Sequence, residues 1–128
     1  VIIGNELQGS VPLPSTPMRQ AILNLLLNAV AAAPGGSVVA LSASSTGALL
    51  LVEVWGHGLG LPREAAALLT GAATARPLRD GAGLGLWMTH RLLSQLGASI
   101  AVDYPDDTGT CVRVSIPFER DKEFAHVA

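Results

Sequence analysis

The segment from Pro17 to Pro34, PMRQAILNLLLNAVAAAP, restricts the fold more than any other part of the chain. It predicts one helix that is apolar almost all the way round. Pro17 suits a first helical turn, where a missing N–H costs nothing, and Thr16 stands where an N-cap is expected. Pro34-Gly35-Gly36 ends the helix. Gln20, Asn24 and Asn28 interrupt the apolar surface at intervals of four, so they fall on one face as a drifting stripe. A buried amide without a partner costs about 1–3 kcal/mol. The stripe therefore meets either neighbouring backbone or a polar ligand.

At 128 residues the chain is expected to form one domain, with a core over 1–118 and a frayed tail over 119–128. Hydrophobic residues make up 49% and aromatic residues 4%, which predicts an aliphatic core. The net charge of -2, without a run of Lys or Arg, argues against a basic nucleic-acid-binding face. A single cysteine, Cys111, excludes an internal disulfide and a multi-cysteine metal site. It lies in an alternating apolar run and is expected to be a core thiol rather than a nucleophile. The longest apolar stretch, Ala21 to Ala33, is broken by Asn24 and Asn28 and is too short to span a bilayer. No membrane contact is expected of this domain. No signal-peptide pattern is present, and the chain starts in what reads as a strand, which predicts a fragment of a larger protein.

Val1 to Val11 suggests an edge strand stopped by Pro12-Leu13-Pro14. After the long helix, Ser37 to Ser44 and Ala48 to Trp55 read as a hairpin around Ser45-Thr46-Gly47. The second of these strands is almost continuously apolar and is expected at the centre of a sheet. Arg63 to Leu69 predicts a short helix, Thr70 to Asp80 a loop, and Leu86 to Leu96 a helix closed by Gly97. Ala98 to Tyr104 and Thr110 to Phe118 form a second hairpin. Two hairpins separated by helices exclude a doubly wound parallel sheet. The expectation is an α/β two-layer sandwich, a mixed sheet covered on one face by about three helices.

Two clusters of the form G-x-G-x-G stand at Gly56-His57-Gly58-Leu59-Gly60 and Gly81-Ala82-Gly83-Leu84-Gly85. Neither is the dinucleotide fingerprint, which needs G-x-G-x-x-G between a strand and a helix. Glycines so spaced let backbone N–H groups approach an anion, and the second cluster opens a helix, whose N-terminus favours a phosphate. The plain alternative is two tight turns. Two clusters together with an amide-striped helix, in this order, are more specific than any one of them.

In this arrangement the chain resembles the ATP-binding catalytic domain of bacterial sensor histidine kinases, in the GHKL (Bergerat-fold) superfamily that includes gyrase-type ATPases. The resemblance covers Met18 to Phe118. Asn24-Leu25-Leu26-Leu27-Asn28-Ala29 matches the N-box N-L-x-x-N-A, and Gly81 to Leu86 matches the glycine box G-T-G-L-G-L. Gly109-Thr110, with Pro117 closing the strand, matches the G-T-x-x-x-x-x-x-P ending, and Thr74-Ala75-Arg76-Pro77 resembles the T-T-K-P stretch of the ATP lid. The resemblance implies ATP and Mg²⁺ as cofactors. Asn28 would give its amide oxygen to the Mg²⁺, which suits a hard cation that keeps several waters. Gly81, Gly83, Leu84 and Gly85 would offer N–H groups to the phosphates, and Thr74 and Arg76 would belong to the lid, Arg76 as a cation near the terminal phosphate. Gly56, Gly58, Gly60 and Thr110 would lie at the adenine end. Asn24 stands where gyrase-like ATPases carry a water-activating Glu; an amide takes no proton at neutral pH, which favours a kinase over an ATPase.

The departures are as informative. The first glycine box normally reads D-x-G-x-G, and Gly56 replaces its adenine-binding Asp. Glu53, three residues earlier in the strand, cannot substitute, and His57 is expected to be a solvent-facing loop histidine. The lid lacks its usual Phe, with Ala72 and Ala73 there instead, and Ala31 to Ala33 replace a basic residue that often follows the N-box. No H-E-x-x-x-P phosphoacceptor block occurs, so no catalytic residue is assigned within this chain and the substrate histidine is expected on an upstream domain. The implied function is that of a cytoplasmic histidine-kinase catalytic domain. It would pass the γ-phosphoryl group of ATP to that histidine and act ahead of a response regulator, whether or not the parent protein is membrane-anchored. The competing readings are a degenerate kinase-like domain that docks partners with little or no ATP binding, and an anti-sigma-factor serine kinase of the same superfamily.

Overall fold

The computed structural model describes residues 2–5, 12–32, 35, 37–57, 63–72, 82–105 and 109–118. Along these the chain runs β1 (Ile2–Asn5), α1 (Ser15–Ala32), β2 (Ala40–Thr46), β3 (Leu49–His57), α2 (Arg63–Thr70), α3 (Ala82–Gln95), β4 (Ser99–Asp103) and β5 (Gly109–Pro117). The strands form one sheet in the order β1-β2-β3-β5-β4. β1 lies parallel to β2 and the other pairs are antiparallel, so the sheet is mixed as expected. The near-continuous apolar run of β3 takes the middle position. Both hairpins form, but the first turns at Gly47-Ala48 rather than at Ser45-Thr46-Gly47, because Ser45 and Thr46 stay in β2 and pair with Leu50 and Leu49.

Period-two alternation divides the sheet into two faces. Leu50, Val52 and Val54 of β3 face the helices, with Ile116, Val114 and Val112 opposite them on β5. Met18, Ala21 and Leu25 of α1, Leu69 of α2 and Leu86 and Leu93 of α3 complete one continuous aliphatic core. Each fully buried side chain of this size contributes about 1.5–3 kcal/mol. The opposite face carries Glu53 and the exposed Leu49 and Trp55.

Two expectations about α1 are corrected. The helix starts at Ser15, and the carbonyl of Pro14 accepts from the N–H of Met18 at 3.3 Å. Thr16 is therefore inside the first turn and is not the N-cap; Pro17 remains harmless there, since the first four N–H groups of a helix lack intrahelical partners. Nor is the helix buried all round. Leu23, Leu27 and Val30 are 50%, 56% and 45% exposed, because only the flank bearing Met18, Ala21 and Leu25 meets the sheet and α3. Among the described residues no helix is long and apolar enough to cross a membrane.

Each of the other helices ends on a glycine. Gly97 has φ of 76°, its N–H donates to Ser94, and the next N–H, of Ala98, donates to Leu93, both at 3.0 Å. This is the Schellman pattern that Gly97 predicted. Gly71, assigned to a loop from the sequence, caps α2 with φ of 89° and donates to Ala67 at 3.1 Å. A methyl group at position 71 would come 2.5 Å from Cε1 of His90 on α3. The same imidazole donates from Nδ1 to the carbonyl of Leu69 at 3.0 Å, since a carbonyl can only accept. Its Nε2 lies 3.2 Å from the Ser94 hydroxyl. One ring thus holds the end of α2 against the middle of α3.

Candidate functional site

The amide stripe of α1 is graded by depth: Gln20 is exposed, while Asn24 and Asn28 are half-buried. Asn24 reaches across to α3, where its Nδ2 donates to Oγ1 of Thr89 at 3.3 Å. Thr89 is fully buried, and its hydroxyl donates to the carbonyl of Gly85 one turn earlier at 2.8 Å. A polar chain therefore runs through the core from the long helix to the second glycine cluster. It leaves no buried side-chain N or O without a partner among the described residues.

That cluster is not a loop preceding α3. The helix begins at Ala82, so Gly83, Leu84 and Gly85 are its second, third and fourth residues. The earliest N–H groups of a helix have no intrahelical acceptor, and the macrodipole is positive there. Gly85 shows no positive φ, and a methyl group added to it would meet no heavy atom within 4 Å. Neither backbone strain nor packing against the described residues requires glycine at that position.

At the other end of the candidate site, β3 continues through Gly56 and His57, which pair with Thr110 and Gly109 of β5. The expectation of a loop at His57 is corrected for its backbone: the ladder with β5 keeps both residues extended. Gly56 continues the helix-facing row of Leu50, Val52 and Val54. Among the described residues, a methyl group on it would touch only Cβ of Ala29, at 3.8 Å, an ordinary contact. Gly56 and the buried Thr110 thus lie beside the stretch of α1 that carries Asn28 and Ala29. Glu53 faces the opposite side of the sheet, where Nε of Arg113 donates to its Oε2 at 3.2 Å. It cannot serve as the missing carboxylate. Gly58, Gly60, Thr74, Arg76 and Gly81 lie outside the described residues.

Cys111 is fully buried on that same opposite side, with Sγ 3.9 Å from Glu53 Oε2. Burial pushes its pKa up to about 11, with Arg113 pulling it down and Glu53 adding to the rise, so the thiol stays protonated and is no nucleophile. Arg113 is held above its ordinary value, chiefly by the hydrogen bond to Glu53. Among the described residues no group of three or more His, Cys, Asp or Glu could hold a metal ion.

Thr89 is the residue that the sequence did not single out for the site. Thr89 was visible only as a polar residue at a core position of α3, between Leu86 and Leu93. Its tie to Asn24 spans 65 positions and is created by packing.

A profile of the family described as histidine kinase-, DNA gyrase B- and HSP90-like ATPases matches residues 14–120. The chain belongs to this family. It is similar to the sensor histidine kinase Hik2 of Thermosynechococcus vestitus, 31% identical over 112 residues that cover 83% of the chain and 29% of Hik2. Among solved structures it is similar to the mycobacterial sensor histidine kinase MprB, with a TM-score of 0.68, 25% identity, and coverage of 90% of this chain and 81% of that one. It is also similar to full-length ShkA in complex with AMPPNP, with a TM-score of 0.63, 29% identity, and coverage of 91% and 26%. The mixed sheet with its helical layer is the Bergerat fold of histidine-kinase ATPase domains, and this chain is a domain of that kind. It spans less than a third of the length of the curated relatives it matches.

Proposed function

We propose that this chain is the ATP-binding catalytic domain of a two-component sensor histidine kinase. It would bind Mg-ATP between α1 and the start of α3 and present the γ-phosphate to a histidine on a phosphoacceptor domain of the same protein, with a response regulator acting next. The observation that carries the reading is the polar chain from Asn24 through Thr89 to Gly85, because it brings the N-box and the second glycine box into one place. The AMPPNP complex of a relative 29% identical supports it. So does glycine at position 85, where no described residue crowds the space a side chain would take and a ligand could approach the backbone closely.

In this reading the N–H groups of Gly81, Gly83, Leu84 and Gly85 would meet the phosphates, and Arg76, with Thr74 in the same segment, would be a cation for the terminal phosphate. Gly56, Gly58, Gly60 and Thr110 line the adenine end. Asn28 offers its amide oxygen to Mg²⁺, and the donor set fits, since Mg²⁺ takes one or two protein oxygens and fills its shell with phosphate and water. Bound there, Mg²⁺ would neutralise charge on the bridging and terminal phosphates. The acceptor imidazole attacks the γ-phosphorus, the bond to the β–γ bridging oxygen breaks, and ADP leaves. This chain contributes position and charge rather than a base, because Asn24 cannot accept a proton. In this reading the domain would act in the cytoplasm, where ATP is supplied.

Gly56 favours a second reading, a kinase-like domain that binds nucleotide weakly and docks partners. Calorimetric titration of the chain with Mg-ATP decides between them. Binding at up to millimolar ATP, with a raised melting temperature, is expected. No heat and no thermal shift at millimolar ATP removes the kinase reading and leaves the docking domain.

A further inference from the structure

We infer that Thr89 is a positioning residue that sets the direction in which Asn24 presents its amide. The inference rests on the kinase reading above and deepens it. A threonine hydroxyl has one proton and two lone pairs. The Thr89 proton is committed to the carbonyl of Gly85 at 2.8 Å, and a carbonyl cannot give one back. The hydroxyl can therefore offer Asn24 only a lone pair, and Asn24 must turn its NH₂ toward it, as the 3.3 Å contact shows. The amide oxygen is then the end left for other partners. An amide alone flips readily between its two orientations, because the two ends are similar in size. Held by a fully buried hydroxyl, this one is fixed as an acceptor.

The chemistry that a fixed acceptor serves is a donor: a water of the magnesium shell, or another proton-bearing group of a bound Mg-nucleotide. A flipped Asn24 would place N–H groups beside the cation and its waters. Thr89 thereby couples the two boxes chemically as well as in space, since the Gly85 carbonyl that fixes the hydroxyl belongs to the second box.

The test compares Thr89→Val, which keeps the shape and removes the hydroxyl, with Thr89→Ser, which keeps the hydroxyl. Mg-ATP affinity is measured by calorimetry on the full chain, alone and in an Asn24→Ala background, together with thermal stability. Thr89→Val is expected to weaken Mg-ATP binding about tenfold and Thr89→Ser by no more than about twofold. In the Asn24→Ala background the Val substitution should have no further effect on affinity. Val and wild type binding equally well overturns the inference even if Val melts earlier, because a purely structural threonine would change stability alone. So does an unchanged Val effect in the Asn24→Ala background. If the wild-type chain binds no nucleotide, the kinase reading fails first, and NMR of the Asn24 side-chain NH₂ in the free protein decides this one. A shift in Thr89→Val that is absent in Thr89→Ser upholds the fixed amide, and no shift in either overturns it.

Discussion

The Asn24–Thr89–Gly85 seam and the Gly56–Thr110 strand pair lie along the same half of α1, yet they are held in different ways. At the seam, polar side chains sit in the core and satisfy one another, so direction and identity are both specified. At the strand pair, position comes from the backbone ladder of β3 and β5, and one of the two facing side chains is a hydrogen atom. On the proposed reading, the fold keeps the layout of a nucleotide site while one end keeps its side-chain chemistry and the other does not. Layout depends on burial and register, whereas base recognition depends on single side chains.

Restoring a carboxylate is the strongest way to break this contrast. Among the described residues, the only atom near a new Cβ at position 56 is Cβ of Ala29, at an ordinary 3.8 Å, so Gly56→Asp is expected to fold normally. A hydrogen bond to a charged group is worth about 1.5–3 kcal/mol, or roughly one to two decades of affinity. Gly56→Asp should tighten Mg-ATP binding by that factor and leave Mg-GTP unchanged, since guanine has no amino donor where adenine has one. The unaltered chain should separate the two nucleotides poorly. Equal gains for both, read by calorimetry, would show that position 56 does not face the base.

A substitution of comparable size tests the rigid side. Gly71→Ala forces a positive φ on a residue with a side chain and drives its methyl group into His90, at an expected cost of about 1–3 kcal/mol. Chemical denaturation measures it. In a His90→Ala background the clash is gone and only the backbone strain remains, so the cost should fall. An equal cost in both backgrounds would mean that the ring does not hold α2 against α3.

How much of this was legible follows the same divide. Local pattern showed the two hairpins, the central β3 and the Gly97 cap, because alternation and turn residues act over a few positions. It misplaced the start of α3 and the end of β3, because glycine reads as a break until a ladder or a helical turn supplies its partners. Gly56 and His57 are extended only because Thr110 and Gly109 lie beside them. Leu23, Leu27 and Val30 belong to the all-round apolar surface of the long helix and are nevertheless exposed, since a sequence reports which residues are apolar and not which are covered. Of the site, Asn24 and Gly85 were visible as motif letters, and Thr89 between them was not, because a tie across 65 positions leaves no local trace.

A smaller effect, on pH dependence, comes from the face of the sheet turned away from the helices. With its pKa raised to about 11, the Cys111 thiol keeps its proton in the fold, whereas an unfolded thiol loses it near 9. Between these values the native state binds more protons than the unfolded one, so stability falls as pH rises from 9 to 11. Two pH units of displaced titration correspond to at most about 2.7 kcal/mol, and less in practice, because solvent screens the charges of the partly exposed Glu53 and Arg113 that contribute to the shift. Cys111→Ala should remove this part of the alkaline loss and leave the curve below pH 9 parallel to that of the parent. Curves that stay parallel through pH 11 would mean that the thiol ionises as freely in the fold as outside it.

The smallest expected change is the sharpest check on which face recognises the nucleotide. Glu53 is the carboxylate nearest in sequence to the missing one, and β3 turns it to the face opposite Gly56, against Arg113 at 3.2 Å. Asp103 takes the other end of the same guanidinium at 2.9 Å. Arg113 and Asp103 are partly in water, so Glu53→Gln should cost no more than about 1 kcal/mol, less in high salt. It should leave Mg-ATP affinity where it was, because a side chain on the far side of a sheet cannot meet a base on the near side. A loss of affinity that Gly56→Asp then restores would show that Glu53 had been serving the adenine, and that the contrast between the two ends of the site is smaller than the register of β3 implies.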